Sequence, residues 1–319
     1  MLLSRAALAA SAAATHRRLG GPAAWVLALP VTFVAGLQVL ARSLVAGTEP
    51  VPLDHHGGDW VAALDGAAEA AATAGLERRC TALVPTQLHR LDRADALDVL
   101  AAFDAVLLGG APADPGLLAR ARDHGVRVVT TYGMAETCGG CVYDGTALDG
   151  VGVRVAGDGR IHLAGPVLFD GYAGDPEATA DALVGGWLRT GDRGRIGDDG
   201  RLEVLGRVDD VVLSGGVSVA VPAVERALRS HPTVADVAVA GTKDAEWGSR
   251  VVAVVVTDGD PPASLSELRD HVAATLPRTW APRGVVPVDA LPRLPSGKTD
   301  RLAVRALVEA RSGADEGIG

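Results

Sequence analysis

The strongest constraint on this chain is an alternation that runs up to Thr131: short apolar runs, each followed by a longer stretch of helix formers. Ser4 is placed to cap a helix from Arg5 to about Leu19, closed by Gly20-Gly21. Trp25–Leu29 reads as a buried strand before Pro30, 34–46 as a helix stopped by Gly47, and Glu49–Leu53 as a strand. The pattern continues with a helix over 59–76, a strand over Ala82–Val84, a helix over 86–102 and a strand over Ala105–Leu108. A helix over 114–124 and a strand over Val126–Thr131 complete it. Strands and helices alternating at this spacing predict an α/β fold with a mostly parallel sheet covered by helices.

From about residue 150 the texture changes. Val151–Val155, Arg160–Leu163 and Arg201–Leu205 are short strands between Gly/Asp turns, which predicts a small antiparallel β unit. Beyond Arg207 come a helix over 221–230, strands over Val234–Ala240 and Arg250–Val256, a helix over 264–276 and a strand over Gly284–Val288. A chain of 319 residues has room for about two domains. The change of texture near Val208–Asp210 divides it into 1–208, a large N-terminal lobe, and 209–319, a smaller mobile α+β C-terminal lobe.

Composition removes several function classes. Thirty basic against 39 acidic residues leave a net charge of −9, and no Lys/Arg cluster offers a nucleic-acid face. Aromatic residues, at 3%, are too sparse for base-stacking platforms. No apolar run reaches about 20 residues, so no membrane span is expected. Three cysteines (Cys80, Cys138, Cys141) are too few for a disulfide scaffold and point to a reducing, cytoplasmic setting. The stretch Met1–Arg18 loosely mimics a secretory signal, but it is mostly alanine with Ser11 inside it, and the capped helix is the better reading.

Four segments carry chemistry: Thr131-Tyr132-Gly133-Met134-Ala135-Glu136-Thr137, Gly186 to Asp192, Gly206-Arg207 to Ser214-Gly215-Gly216, and Leu294 to Arg301 around Lys298. Each alone reads as an ordinary turn or surface pair. In this order and combination, from Trp25 to Arg301, they resemble the adenylate-forming superfamily of acyl-CoA synthetases, peptide-synthetase adenylation domains and luciferases. Within it, Thr131–Gly145 is especially similar to the actinobacterial type of o-succinylbenzoate–CoA ligases, as is Leu29-Pro30 through Leu40.

The resemblance implies an AMP-forming acid–thiol ligase that uses ATP, Mg²⁺ and CoA with o-succinylbenzoate, in menaquinone biosynthesis. It assigns Asp192 to the ribose hydroxyls, Arg207 to the ribose and phosphates, and Gly109, Gly110, Ala111, Pro112, Tyr132 and Gly133 to the nucleotide. Glu136 corresponds to the Mg²⁺ ligand. Lys298 corresponds to the lysine that supplies compact charge to the α-phosphate transition state, with Arg207 beside it in catalysis. Asp209 matches the hinge, and Ser214, Gly215 and Gly216 the path of the CoA arm. Phe33, Thr137, Gly139 and Gly140 match the acyl pocket, with Cys138 and Cys141 as small lining residues; as a lone C-x-x-C they also fit a redox pair or half a zinc site. For the aromatic carboxylate three partners stay open: Arg42, Arg154 and the backbone amides near Gly139. Small molecules are the expected partners, and a homo-oligomer is left open.

Three departures qualify the resemblance. The superfamily's phosphate-gripping loop, which ends in Pro-Lys-Gly just before a helix like the one at Ser4, has no counterpart here; the expectation is a fragment, a late start or impaired ATP binding. Phe33 stands where relatives commonly carry histidine, and Ser218 where asparagine is frequent. Two alternatives follow: a ligase for another small acyl or aryl acid, and a non-catalytic nucleotide-binding remnant.

Overall fold

The apolar runs up to Thr131 all become strands of one sheet. The computed structural model describes residues 1–53, 59–208, 211–244, 246–257, 263–294 and 299–315. Helix α1 (Arg5–Leu19) is capped by Ser4, whose hydroxyl accepts from the Ala7 amide, and closed by Gly20 in the left-handed region. Then come β1 (Ala24–Leu27), α2 (Val34–Ala46), β2 (Val51–Pro52), α3 (Trp60–Ala72), β3 (Arg79–Leu83), α4 (Pro85–Arg93), β4 (Ala105–Leu108), α5 (Pro115–Asp123), β5 (Val128–Met134), β6 (Gly139–Tyr143) and β7 (Thr146–Ala147). The sheet runs β2-β1-β3-β4-β5-β6-β7, parallel as far as β5 and antiparallel beyond it.

Alternating residues of each strand face opposite layers, as the pleat requires. Val106 and Leu108 join Leu64, Leu88 and Leu117 of α3, α4 and α5. Ala105 and Leu107 join Ala14 of α1 and Val39 of α2, with Trp25 and Tyr143. The helix expected over 86–102 is two pieces, α4 and a 3-10 turn at Leu97–Ala102. Asp95 separates them at φ 51°, a conformation that no right-handed helix continues through.

A second sheet collects β8 (Gly152–Val155), β9 (Arg160–Ala164), β10 (Leu183–Val184), β11 (Trp187–Ile196) and β12 (Leu202–Arg207), with α6 (Pro176–Ala182) ahead of β10. The chain divides into two compact units, residues 1–190 with 194–203 and residues 191–193 with 204–319.

The second unit has its own core. β13 (Val211–Ser214) and β14 (Val217–Ala220) form a hairpin, followed by α7 (Val221–Arg229), β15 (Val234–Asp244), β16 (Gly248–Thr257), α8 (Leu265–Ala273), β17 (Gly284–Pro287) and α9 (Arg301–Asp315). In the sheet β15-β16-β17, Val237 and Val239 face Val224, Leu228 and Leu268 of α7 and α8, while Ala238 and Ala240 face Val304 and Val308 of α9. The sequence pattern assigns no element beyond Gly284–Val288, and α9 is what the structure adds. Among the described residues no helix is long and apolar enough to cross a membrane.

One buried pair ties α7 to α9. The Glu225 carboxylate is nearly inaccessible, accepts from the Val239 amide at 2.7 Å, and takes both terminal nitrogens of Arg301. Glu225→Ala leaves a buried amide without its acceptor and removes a carboxylate from a half-exposed cation. The expected loss is about 2–3 kcal/mol. Calorimetry should show the transition of this unit at lower temperature, with Glu225→Gln recovering part of the loss by restoring the acceptor. An unchanged transition would show that the pair adds nothing.

Candidate active site

The pairing of β4 with β5 ends at Leu108 opposite Thr130, and β5 runs on alone for four residues, Thr131-Tyr132-Gly133-Met134. These pair instead with β6: Thr131 with Tyr143, Tyr132 with Val142, Gly133 with Gly140 and Met134 with Gly139, across a bulge between Tyr132 and Gly133. A Cβ on Gly133 would lie 2.2 Å from the Gly139 carbonyl oxygen and 2.7 Å from the Gly140 Cα, so only glycine lets the two backbones meet. A Cβ on Gly109 would meet the Thr131 hydroxyl at 2.3 Å. The Gly109–Pro112 turn and the Tyr132-Gly133 strand end therefore start side by side at the carboxyl edge of the sheet, where open α/β folds bind ligands.

The turn between β5 and β6 is held by Thr137. Its buried hydroxyl accepts from the Met134 amide at 2.9 Å and faces the Gly139 carbonyl at 2.7 Å. Glu136 is fixed at both ends, its carbonyl accepting from the Phe169 amide at 2.8 Å and its Oε1 from the Tyr172 hydroxyl at 2.9 Å. Burial first, and then the bond to Glu136, push the Tyr172 phenol up to about 12, so it remains a donor. Among the described residues no cluster of three or more metal-ligand side chains exists. A single hard carboxylate of this kind suits Mg²⁺, which usually takes one or two protein carboxylates and completes its shell with phosphate oxygens and water.

Cys138 sits in the left-handed region at φ 50°, and both it and Cys141 are buried. Burial raises the Cys138 thiol to about 11 and the Cys141 thiol to about 12, so neither is a thiolate at neutral pH.

Behind Gly139 stands α2. Phe33 is its exposed N-cap, and a Cβ on Gly139 would lie 3.3 Å from Cγ of the buried Gln38. One turn on, Arg42 is buried beneath a polar cage. Its Nη2 donates to the Tyr143 hydroxyl at 3.3 Å, and its guanidinium lies 4.8 Å from the centre of the Trp25 ring. The Tyr143 and Thr15 hydroxyls are 2.9 Å apart, and Thr15 donates to the Ser11 carbonyl at 3.0 Å. Trp25 donates to His16 Nε2 at 3.3 Å, and burial, then the nearby Arg42 charge, hold the His16 imidazole below its ordinary pKa. Arg42 has no carboxylate partner among the described residues, and its Nε, the Gln38 Oε1 and the Ser43 Oγ are buried without a hydrogen bond. Arg154, by contrast, is exposed, with its guanidinium 4.3 Å from the centre of the Trp187 ring.

In the second unit the structure joins two of the sequence segments. The Val208 amide donates to the Gly191 carbonyl at 2.7 Å, and a Cβ on Gly191 would come 2.8 Å from Arg207 Nη2, so Arg207 lies over the residue that precedes Asp192. Gly215 and Gly216, at φ 56° and 77°, make the two-residue turn of the β13–β14 hairpin after the buried Ser214. The Gly215 amide donates to the Trp247 carbonyl at 2.9 Å under the Trp247 ring, whose centre lies 3.6 Å from the Arg283 guanidinium. Asp209, Lys298 and the Ser218 side chain lie outside the described residues. Sequence reasoning missed Tyr172, Gln38 and the Arg42 cage. The one available signal was Gln38 and Arg42 at helical spacing inside an otherwise apolar helix.

Two family models match the chain, that of the AMP-binding enzymes over residues 1–172 and that of the AMP-binding enzyme C-terminal domain over 223–298. A probable 2-succinylbenzoate–CoA ligase of Mycobacterium tuberculosis is 48% identical over 307 residues, covering 95% of this chain and 79% of the relative. The o-succinylbenzoate CoA synthetase of Bacillus subtilis, solved with its acyl-adenylate intermediate, superposes with a TM-score of 0.83 at 29% identity, over 94% of this chain and 64% of that one. The same synthetase solved with ATP and a magnesium ion gives 0.79 at 29% identity, over 92% and 64%. The chain thus spans less than two thirds of the Bacillus chains.

The thiol environment is directly testable. With raised pKa values and buried sulfurs, Cys138 and Cys141 should resist iodoacetamide at pH 8 in the native protein and react in guanidinium. Mass spectrometry of alkylated peptides reads this, and rapid native labelling of either residue would show that its thiol is accessible and activated.

Proposed function

The chain belongs to the AMP-binding enzyme family, and from that membership we propose that it acts as an o-succinylbenzoate–CoA ligase. The observation that carries the reading is the meeting of the Gly109–Pro112 turn, the Tyr132-Gly133 strand end and Glu136 at one sheet edge, in a chain so similar to the mycobacterial ligase. The aliphatic carboxylate oxygen of o-succinylbenzoate attacks the α-phosphorus of ATP, the bond to diphosphate breaks, and the acyl-adenylate is then attacked by the CoA thiol with release of AMP. Mg²⁺, with Glu136 as a ligand, neutralises phosphate charge when bound.

The chain's own residues divide the remaining work. Gly109, Gly110, Ala111, Pro112, Tyr132 and Gly133 accept the flat face of adenine. Asp192 takes the ribose hydroxyls, since one carboxylate can receive two donors. Arg207 offers a rigid fork of donors to ribose and phosphate, and Lys298 a compact charge to the reacting phosphorus. Tyr172 keeps one Glu136 oxygen oriented. Residues 1–208 act as the adenylating lobe and 209–319 as the C-terminal lobe, with Asp209 as hinge and Ser214, Gly215 and Gly216 along the CoA arm. Phe33, Gly139 and Gly140 border the acyl group, and Thr137 holds the turn that shapes that border. A cytoplasmic setting supplies ATP and CoA.

Of the three partners open for the aromatic carboxylate, Arg42 is favoured. Among the described residues it is a buried cation with no carboxylate of its own, one helical turn from the Gln38 side chain that backs Gly139.

The decisive experiment is diphosphate release with o-succinylbenzoate as the only acid, followed by thioester formation on adding CoA. Release with other aryl acids alone would assign a different ligase, and nucleotide binding without release a non-catalytic remnant. Arg42→Met should lower kcat/KM for o-succinylbenzoate about 10²-fold, which is about 3 kcal/mol for a desolvated charge pair. It should leave 4-oxo-4-phenylbutanoate, which lacks the aromatic carboxylate, nearly unaffected; equal loss for both acids refutes the assignment. Lys298→Ala should slow adenylation by about 10²–10³ while sparing thioester formation from a preformed acyl-adenylate. Rapid-quench measurement of each half-reaction checks this, and equal slowing of both contradicts the role given to Lys298.

A further inference from the structure

The seven-stranded sheet has a further crevice, to which the residue roles proposed above assign nothing. In the order β2-β1-β3-β4-β5, the chain leaves β1 towards β2 on one side and resumes on the other side with β3. The helix after β1 packs with Trp25 and Leu107 on one face, and the helix after β3 packs with Val106 and Leu108 on the opposite face. Connections that leave neighbouring strands towards opposite faces open a crevice beyond their carboxyl ends, the usual ligand position in such sheets.

A cavity of about 590 Å³ lies there. It is bounded by the β1–α2 connection at 29–31, the end of β2, Trp60 at the head of α3, and Gln87, Arg90 and Leu91 of α4. That volume falls in the range of small-molecule sites, roughly 300–1,000 Å³. The Gln87 carboxamide accepts from the Val84 amide at 3.0 Å and donates to the Ala28 carbonyl at 2.9 Å, bracing the two loops of the switch point against each other. The remaining walls are aliphatic, proline or indole, except for Arg90. Arg90 is exposed, and among the described residues it makes no ion pair and is the only charged side chain lining the cavity.

A braced apolar chamber with one unpaired cation selects a ligand with a compact apolar body and one anionic end. We propose that this crevice binds a small hydrophobic monocarboxylate, with its chain or ring against Trp60, Pro30 and Leu91 and its carboxylate on Arg90. The site is separate from the acyl pocket proposed around Phe33, Gly139 and Gly140, and it does not depend on the ligase reading.

Decanoate is the probe, with decanol as the uncharged control, both titrated by calorimetry against the full chain. The expected result is saturable one-to-one binding of decanoate, at least tenfold tighter than decanol. Arg90→Gln should remove that tenfold preference. Val31→Trp, which introduces an indole from an exposed wall position, should abolish binding of both, while circular dichroism of the two variants stays native. Excess o-succinylbenzoate should not compete. The proposal is overturned by an absence of saturable binding, by equal affinity for decanoate and decanol, by indifference to both substitutions, or by displacement with o-succinylbenzoate, which would put the probe in the acyl pocket.

Discussion

Two backbones meeting with no side chain between them determine the shape of the sheet's working edge. Because Gly133 can lie against the Gly139 carbonyl and the Gly140 Cα, β5 can stop pairing in parallel with β4 and continue in antiparallel pairing with β6. That reversal needs a turn of only four residues, tight enough to force Cys138 into the left-handed region, at a cost of order 1 kcal/mol or more. The Thr137 hydroxyl offsets part of it by binding both ends of the turn. The same turn delivers Glu136 to Tyr172 and, through β6, sets Tyr143 under Arg42. A methyl group at residue 133 would therefore disturb the nucleotide wall, the carboxylate and the arginine cage together.

The cage runs against stability. Burying a guanidinium without a carboxylate costs several kcal/mol even after relaxation. What Arg42 receives in return is a phenol oxygen and the face of an indole, the latter worth about 2 kcal/mol when desolvated. Its neighbours are chosen not to add to the positive charge: His16 is held neutral and accepts from Trp25. An apolar residue at 42 would give a more stable layer between α2 and the sheet. Among the described residues the buried Arg42 charge meets no carboxylate, and this is the ground on which the aromatic carboxylate of the acid is proposed as its partner.

How far the sequence could be read follows from the range of the interactions involved. The strands and helices up to Thr131 were legible because each is set by its own apolar period and by local caps such as Ser4 and Gly20. The break at Asp95 was not, since Ala94 and Ala96 on either side are strong helix formers. Nor was the ten-residue β11, whose Arg, Gly and Asp content hides its pairing with β9 and β12. At the site, Gly109, Gly133 and Glu136 were legible as motif, while Tyr172 lies 36 residues from the carboxylate it binds and carries no local mark of that contact. Arg42 was visible only as a polar residue in an apolar helix; its cage draws on α1, β1 and β6, which no local pattern joins.

The two ligand regions proposed along this sheet edge share one border, α2. At its N-terminus Gly36 lies so close to the β1–α2 connection that a Cβ would fall 2.3 Å from the Pro30 carbonyl oxygen. The start of the helix is therefore packed backbone to backbone against the wall of the switch-point crevice. Further along, Gln38 backs Gly139 and Arg42 meets Tyr143, so the same helix forms the rear of the strand-end region. Phe33 stands at the junction, capping α2 while its amide donates to Pro30. The 29–31 wall, Phe33 and Gln38 are thus joined through one close-packed helix start, so the two proposed regions share a border made by backbone contact rather than by charge.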